Sequence, residues 1–308
     1  MKKVVVVGSL NMDLVMEVER MPKVGETIKG NKMSYFIGGK GSNQAVAASR
    51  LEDNVKIIGC VGKDTFGEKI LKHLKEDGVN VESVREDNCA FTGLATIFKT
   101  PEDNSIVVIP GANDFCDIDL IKTYEDVIKD ADVVITQLEI PMETVEYALK
   151  IAKKHGVKTI LNPAPVKTLS KEIINNVDFI TPNETEFEII CGQSFNNGEE
   201  LEESMVKWQE DNSCNLILTR GKHGSSYVKD GKVITIDAIE VKVVDTTGAG
   251  DTFNGAFAHC IANEFKIEEA VRFAGIAASL SVRKLGAQSG MPTLKEVNEY
   301  FKLIRERG

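Results

Sequence analysis

The sequence predicts an α/β fold: a mainly parallel sheet sandwiched by helices, with a small β-sheet lid. Three observations predict it. Short β-branched runs alternate with longer stretches at helical spacing. The runs are apolar throughout, as strands covered on both faces are. Two hairpin-like segments break the alternation.

In chain order, the strand runs are VVVV (4–7), VKIIGCV (55–61), DVVIT (132–136), KTIL (158–161), DFIT (178–181) and NLILT (215–219). Helical candidates lie between them near 42–52, 66–77, 141–155 and 184–191. Such alternation requires crossovers, which make neighbouring strands parallel. The last part reads as three helices, FNGAFAHCIANEF (253–265), IEEAVRFAGIAASLSVRK (267–284) and LKEVNEYFKLIRER (294–307). The exceptions are residues 13–37, with partial strand alternation around a Pro and Gly turn, and 91–109, where FTGLATIF and SIVVI flank PEDN. Paired, they would form a second sheet over one edge of the first; unpaired, they are surface hairpins. No repeat, low-complexity tract or linker divides the chain, so residues 1–308 are expected to form one domain plus this lid.

The composition excludes several function classes. With 47 acidic against 37 basic side chains and a formal charge of −10, the surface is not suited to a nucleic-acid backbone or an anionic membrane. Six cysteines, at 60, 89, 116, 191, 214 and 260, include no CxxC pair and have no histidine at zinc-ligand spacing. The apolar run from Val4 to Val7 is too short for a signal peptide, and nothing approaches the roughly 20 apolar residues of a membrane span. A reduced, cytoplasmic protein is expected.

Familiar phosphate motifs fail. GGKGSN (38–43) is not a P-loop, because Ser34 stands at the first glycine's place and Gly41 follows the lysine. The first strand ends VVGSLNMD, without the GxGxxG of a dinucleotide fold. What remains is a set of polar residues at strand ends, where open α/β sheets bind ligands: Asn11 and Asp13, Glu139, Asn183 and Glu186, Thr219 and Gly221. Each taken singly is also explained as a turn or cap residue, Asn183 as the cap of the helix from Glu184. DTTGAGDTFNG (245–255) adds Gly248, Ala249 and Gly250 before an apolar helix, a junction whose free N–H groups attract anions. A carboxylate, Asp251, follows at once. Phosphoryl transfer reconciles the two, because it needs donors for the moving group and a base for the attacking hydroxyl. The competing explanation is that Asp251 caps the helix.

These residues carry a resemblance. GGKGSNQAVAASRL (38–51), NETE (183–186) and DTTGAGDTFNGAF (245–257), in that order, resemble the signatures of the ribokinase, or PfkB-type, family of carbohydrate kinases, and the likeness runs from VVGSLNMD to GAQSGMP (286–292). It implies an ATP-dependent kinase acting on the primary hydroxyl of a pentose, D-ribose to ribose 5-phosphate, with a lid that in relatives pairs subunits into a dimer. Asp251 matches the family's base, and Gly248, Ala249 and Gly250 its anion hole. Asn11, Met12, Asp13, Gly39, Lys40, Gly41, Ser42, Asn43 and Glu139 match its sugar-binding segments. Asn183, Glu186, Thr219, Arg220, Gly221, Lys222, His223, Gly224, Gly250 and Gly275 match the ATP side. Magnesium is expected to ride with the nucleotide, and Lys222 and His223 also read as a solvated turn.

Relatives bind a monovalent cation, usually potassium, where this chain has Asp245, Thr247, Ser281, Lys284, Gly286 and Gly290. Gly290 replaces a hydroxyl residue often seen there, so a water or carbonyl would serve. Gly275 replaces a larger residue that some relatives place near adenine. Deoxyribose, fructose and nucleosides are the rival substrates, and a non-catalytic sugar sensor is the rival class. With no aromatic cluster beside the polar set, a small hydroxyl-rich sugar is favoured over a nucleoside.

Overall fold

The computed structural model describes residues 1–305. The first half runs β1 (Lys3–Val7), β2 (Asn11–Glu17), β3 (Lys32–Gly38), α1 (Lys40–Ser49), β4 (Asn54–Gly62), α2 (Thr65–Glu76), β5 (Val84–Asp87), β6 (Gly93–Lys99) and β7 (Asn104–Ile109). After a 3-10 turn at Gly111–Phe115 come α3 (Ile118–Thr123), α4 (Glu125–Lys129), β8 (Val133–Thr136), α5 (Met142–Lys154), β9 (Lys158–Leu161), α6 (Lys171–Asn175), β10 (Phe179–Ile180) and α7 (Glu184–Cys191). The remainder is α8 (Gly198–Asp211), β11 (Asn215–Thr219), a 3-10 turn at Gly221–His223, β12 (Ser225–Lys229), β13 (Lys232–Ile236), α9 (Ala249–Ala262), α10 (Ile267–Ser281) and α11 (Leu294–Arg305). Glu306 and Arg307, the end of the expected last helix, lie outside the described residues.

Nine strands form the large sheet in the order β13-β12-β11-β10-β9-β8-β1-β4-β5. All pairs from β11 to β5 are parallel, while β12 runs antiparallel to both β11 and β13 at the margin. Its strands are covered on both faces. Val4 and Val6 enter one core cluster with residues of α1, α2, α9, α10 and α11, while Val5 and Val7 enter a second with residues of α3 to α8. The continuous apolar runs follow directly from that double burial. From β1 the chain winds outward through β4 and β5, then returns and winds the other way through β8 to β11. Strand order therefore reverses between β1 and β8, and the crevice beyond their carboxyl ends is where such sheets take ligands.

The two irregular segments do pair, as a separate four-stranded sheet β3-β2-β6-β7. It is mixed: β2 runs antiparallel to β3 but parallel to β6. β4, α2 and β5 lie between β2 and β6 in the chain, so no hairpin joins that pair and a parallel register results. The lid strands span Asn11–Gly38 and Gly93–Ile109, against 13–37 and 91–109 expected, but residues 18–31, with Pro22, Gly25 and Gly30, form no strand. Two other expectations change: DVVIT starts as a strand only at Val133, and DFIT shortens to Phe179–Ile180. No helix among the described residues is long and apolar enough to cross a membrane.

Candidate active site

The residues expected to meet the sugar are positioned by the β1–β2 junction, α1 and the end of β8. Gly39 is the N-cap of α1 at φ 88°, and a Cβ there would lie 2.7 Å from Asn11 N. Only glycine suits that conformation and proximity. The tight turn sets α1's first turn on the end of β1: Ser42 N donates to Ser9 O at 2.9 Å, and Lys40 N to Glu139 Oε2 at 3.0 Å. Ser9 Oγ donates to the same Glu139 oxygen at 2.5 Å. Glu139 thus caps α1 while standing at the crevice.

Asn11 is buried, its Oδ1 accepting from Asn113 Nδ2 at 2.7 Å. Asp13 follows on β2, its carboxylate without a hydrogen-bond partner among the described residues. Burial, then the carboxylates of Glu139 and Asp251, push its carboxyl up to about 7. Register places Phe36 and Ala95 beside Asp13 on one face of the lid sheet. Strand alternation sends Met12 the other way: its side chain is in the core, so it does not line the cleft as expected. Ser42 likewise turns its side chain inward. Its hydroxyl is buried, donating to Gly38 O at 2.5 Å and accepting from Gln288 Nε2 at 3.2 Å.

Asp251 stands at the first turn of α9. The N-cap is Gly248, at φ 77° with no side-chain bond, and a Cβ there would meet that of Ala287 at 2.7 Å. Thr252 N is the first to reach back, to Gly248 O at 2.8 Å, and Ala249 N turns to Thr246 O at 3.2 Å. The N–H groups of Gly250 and Asp251 precede the first intrahelical bond and can face an anion. The carboxylate does not cap α9. Its Oδ2 accepts from Asn43 Nδ2 at 2.8 Å and its Oδ1 from Gln44 Nε2 at 3.0 Å. Gln44 is held in turn by Gln137 Nε2 at 2.6 Å and donates to Asn162 Oδ1 at 3.1 Å.

Burial raises the Asp251 carboxyl above its ordinary value, against the pull of Lys40 and the two amides. Burial works to lower the Lys40 ammonium, but Asp251, Glu139 and Glu186 outweigh it and the net shift is upward. One half-buried cation thus lies in the field of carboxylates from α9, the end of β8 and α7. The same interactions bring Glu186, from the nucleotide set, into the field of Asp251.

Of the residues expected at the nucleotide, Asn183 and Glu186 form a reciprocal capping box: Glu186 N donates to Asn183 Oδ1 at 2.8 Å, and Asn183 N to Glu186 Oε2 at 2.9 Å. Asn183 bridges to Thr219 across the sheet, joining this box to the Thr219–Gly224 turn. Arg220 is committed to Glu184, its Nε donating at 3.0 Å, while Lys222 and His223 are exposed as a solvated turn would be. Added Cβ atoms at Gly250 and Gly275 would meet nothing within 4 Å, so both leave open space.

At the expected cation site, Asp245 Oδ1 accepts from Thr247 N at 3.0 Å and Thr247 Oγ1 at 2.7 Å, and Oδ2 from Gly286 N at 2.8 Å. The oxygen-rich donor set, with a carboxylate held below its usual range by those bonds despite burial, suits a hard monovalent cation. A Cβ at Gly290 would lie 1.9 Å from Ser281 O, so this backbone admits no side chain there. Among the described residues no cluster of His, Cys, Asp and Glu could hold a metal unaided.

Sequence reading missed Asn113, Gln44, Gln137, Asn162 and Gln288. Gln44 follows the GGKGSN motif directly, and Gln137 precedes Glu139 by two residues. Asn113 lies in a 3-10 turn with no motif around it, so its role is visible only in three dimensions.

With this geometry in hand, comparison with known proteins is decisive about kinship. The family described as pfkB family carbohydrate kinase matches residues 1–294. A ribokinase of Lactococcus lactis is 45% identical over 304 residues, covering 98% of each chain. A deoxyribokinase of Salmonella typhi is 35% identical, covering 97% of this chain and 99% of its own. A solved structure of Arabidopsis thaliana ribokinase, complexed with ribose and ATP, superposes with a TM-score of 0.91 at 34% identity over 98% of this chain and 99% of the other. The chain belongs to the pfkB family of carbohydrate kinases.

Proposed function

We propose that this protein transfers the γ-phosphoryl group of ATP to the primary hydroxyl of D-ribose, giving ribose 5-phosphate and ADP. One observation carries the reading: Asp251 is buried beside the free N–H groups of α9's first turn and is fixed by side chains from the sugar-binding helix. The sugar lies against Asn11, Asp13, the Gly39–Asn43 turn and Glu139, under Ala95 and Phe36. Paired carboxylates suit a polyol, because each accepts several hydroxyl hydrogens.

Asp251 takes the hydroxyl proton as the oxygen attacks, and its raised affinity for protons suits it to that task. The N–H groups of Gly250 and Asp251, with Lys40, hold the phosphoryl charge in line. Asn183, Glu186 and the Thr219–Gly224 turn hold ATP, with Gly275 leaving room for the base. Glu186 would help hold magnesium carried in on the nucleotide, an ion that would supply charge neutralisation to the phosphates. Asp245, Thr247 and the backbone at Ser281, Lys284, Gly286 and Gly290 would hold a monovalent cation such as potassium, whose charge would steady the loop before α9.

The whole chain acts as one domain with its lid, in the cytoplasm, where its six free thiols stay reduced. Coupled ADP release with ribose, deoxyribose, fructose and adenosine tests the substrate: ribose is expected to give the highest kcat/KM. A higher value for any of the others overturns that choice. Asp251→Asn tests the mechanism. Turnover is expected to fall by about a thousandfold or more with ATP binding retained, and near-normal turnover rejects the base assignment.

A further inference from the structure

Asp251 is held by two amides, and a carboxamide can present either its donor or its acceptor end to a neighbour. Something must therefore decide which end Asn43 offers. Its Oδ1 accepts from Gln288 Nε2 at 2.9 Å, which leaves Nδ2 for Asp251 Oδ2 at 2.8 Å. With Asn43 reversed, two oxygens would face each other and Gln288 Nε2 would meet another donor.

Gln288 is itself fixed from three sides. It is buried, its Oε1 lies 2.9 Å from His73 Nε2, and Arg50 Nη1 donates to its carbonyl at 2.6 Å. Two residues before it, Gly286 N donates to Asp245 Oδ2. The chain Asp245–Gly286–Gln288–Asn43–Asp251 thus links the proposed cation loop to the proposed base, meeting the proposed sugar site only at Asn43.

We propose that Gln288 is a positioning residue for phosphoryl transfer: it sets the amide orientation of Asn43, and through Asn43 holds Asp251 aimed at the acceptor hydroxyl, tying the 286–289 loop to the reacting centre. The proposal rests on the kinase reading with Asp251 as base. Gln288 touches neither the proposed sugar nor the proposed nucleotide residues other than Ser42 and Asn43, so its loss should act on turnover more than on ATP binding.

Two substitutions test it. Gln288→Leu removes both ends of the amide, and Gln288→Glu keeps size and shape while replacing the donor with an acceptor. In both, kcat is expected to fall about tenfold, the scale of one hydrogen bond to a charged group, with KM for ATP unchanged. Loosening the hold on the Asn43 donor also lets Asp251 keep its proton more tightly, so the acid limb of the kcat profile should move up by about half a pH unit or more. A merely structural role would lower stability without moving that limb. Unchanged kcat and acid limb in either folded variant overturn the proposal.

A measurement on the unaltered protein guards against variants that fail to fold. The Asn43 and Gln288 side-chain amide protons should exchange slowly in the nuclear magnetic resonance spectrum, and the Asn43 signal should shift as Asp251 titrates. Fast exchange, or an Asn43 signal indifferent to that titration, also overturns it. Asp251→Asn assayed in parallel separates the two levels. If it retains turnover the base reading fails; if it is inactive while the Gln288 variants match the unaltered enzyme, only the positioning role fails.

Discussion

Gly38 lies against Asp13 so closely that a Cβ on the glycine would sit 2.2 Å from Asp13 Oδ2. The two are neighbours across β2 and β3, where Asn11 pairs with Gly38 and Asp13 with Phe36. A side chain at 38 must therefore push the carboxylate toward the crevice or aside. Gly38→Ala is expected to raise the sugar KM by about tenfold or more, as misplacement of a substrate-orienting group by an ångström does, and to leave KM for ATP unaltered. Steady-state kinetics with each substrate varied in turn checks this. Equal effects on both would point to a general distortion of the crevice.

Asp13 also governs a pH dependence whose sign can be worked out. Its carboxyl is raised from 3.8 to about 7 by burial, Glu139 and Asp251. A group that binds its proton more tightly when folded adds stability below its unfolded value, and that contribution is lost as pH rises toward 7. Asp13→Asn removes the effect. The stability of the variant minus that of the unaltered protein should become more positive from pH 4 to pH 8, by on the order of 2 kcal/mol, at about 1.4 kcal/mol per pH unit with coupling to Glu139 and Asp251 discounted. Denaturant unfolding without ligand at both pH values measures it. A difference that stays constant would show that folding leaves the Asp13 carboxyl unshifted.

The NETE segment separates a structural role from a chemical one. Asn183 and Glu186 satisfy the start of α7 by themselves, and Glu186 also lies in the field of Lys40 and Asp251. Glutamine at 186 can still accept from Asn183 N, so Glu186→Gln keeps the box but removes the charge. Its melting temperature should match that of the unaltered protein, while the magnesium concentration for half-maximal turnover rises about tenfold. Asn183→Ala should instead cost about 1 kcal/mol of stability through the lost cap. A Glu186→Gln enzyme with unchanged magnesium requirement would leave only the cap.

How much of this was legible in the sequence depends on what each residue answers to. The parallel strands were readable because burial on both faces makes Val4–Val7 or Leu216–Leu218 apolar without alternation. The β12–β13 hairpin and α8 were not. Of α8 only Leu201 and Met205 are buried, so its acidic stretch carries little helical stripe, and the hairpin extends the sheet at its margin. Asp251 and Asp13 stood out because a carboxylate at a glycine-rich helix start or at a strand end is chemically conspicuous. Gln44, Gln137 and Gln288 were silent. An amide in a hydrogen-bond chain has no preferred spacing along the sequence, since its partners come from α1, β8's end and the 286–289 loop. Met12 was misassigned for the opposite reason: it sits between two cleft residues, and only the alternation of β2 sends its side chain to the core.

The lid supplies the last prediction. β7 is an edge strand, and Ile106, Val107, Val108 and Ile109 are 59%, 56%, 49% and 46% exposed. A free edge with apolar side chains on both faces invites pairing with another chain. Register puts Ile106 opposite Ile97, and Val108 opposite Ala95, on the face that carries Asp13. A second copy of the lid would cover that face and, by twofold symmetry, have its own covered in return. Ile106→Glu would place a charge in such an interface twice per dimer, at a cost of about 3 kcal/mol or more when unpaired. Sedimentation equilibrium should then show a dimer for the unaltered protein and a dissociation constant raised about a hundredfold for the variant. The variant's sugar KM should rise with it, because a lid without its partner closes less well over Asp13. A monomer at micromolar concentration for the unaltered protein would remove both expectations together.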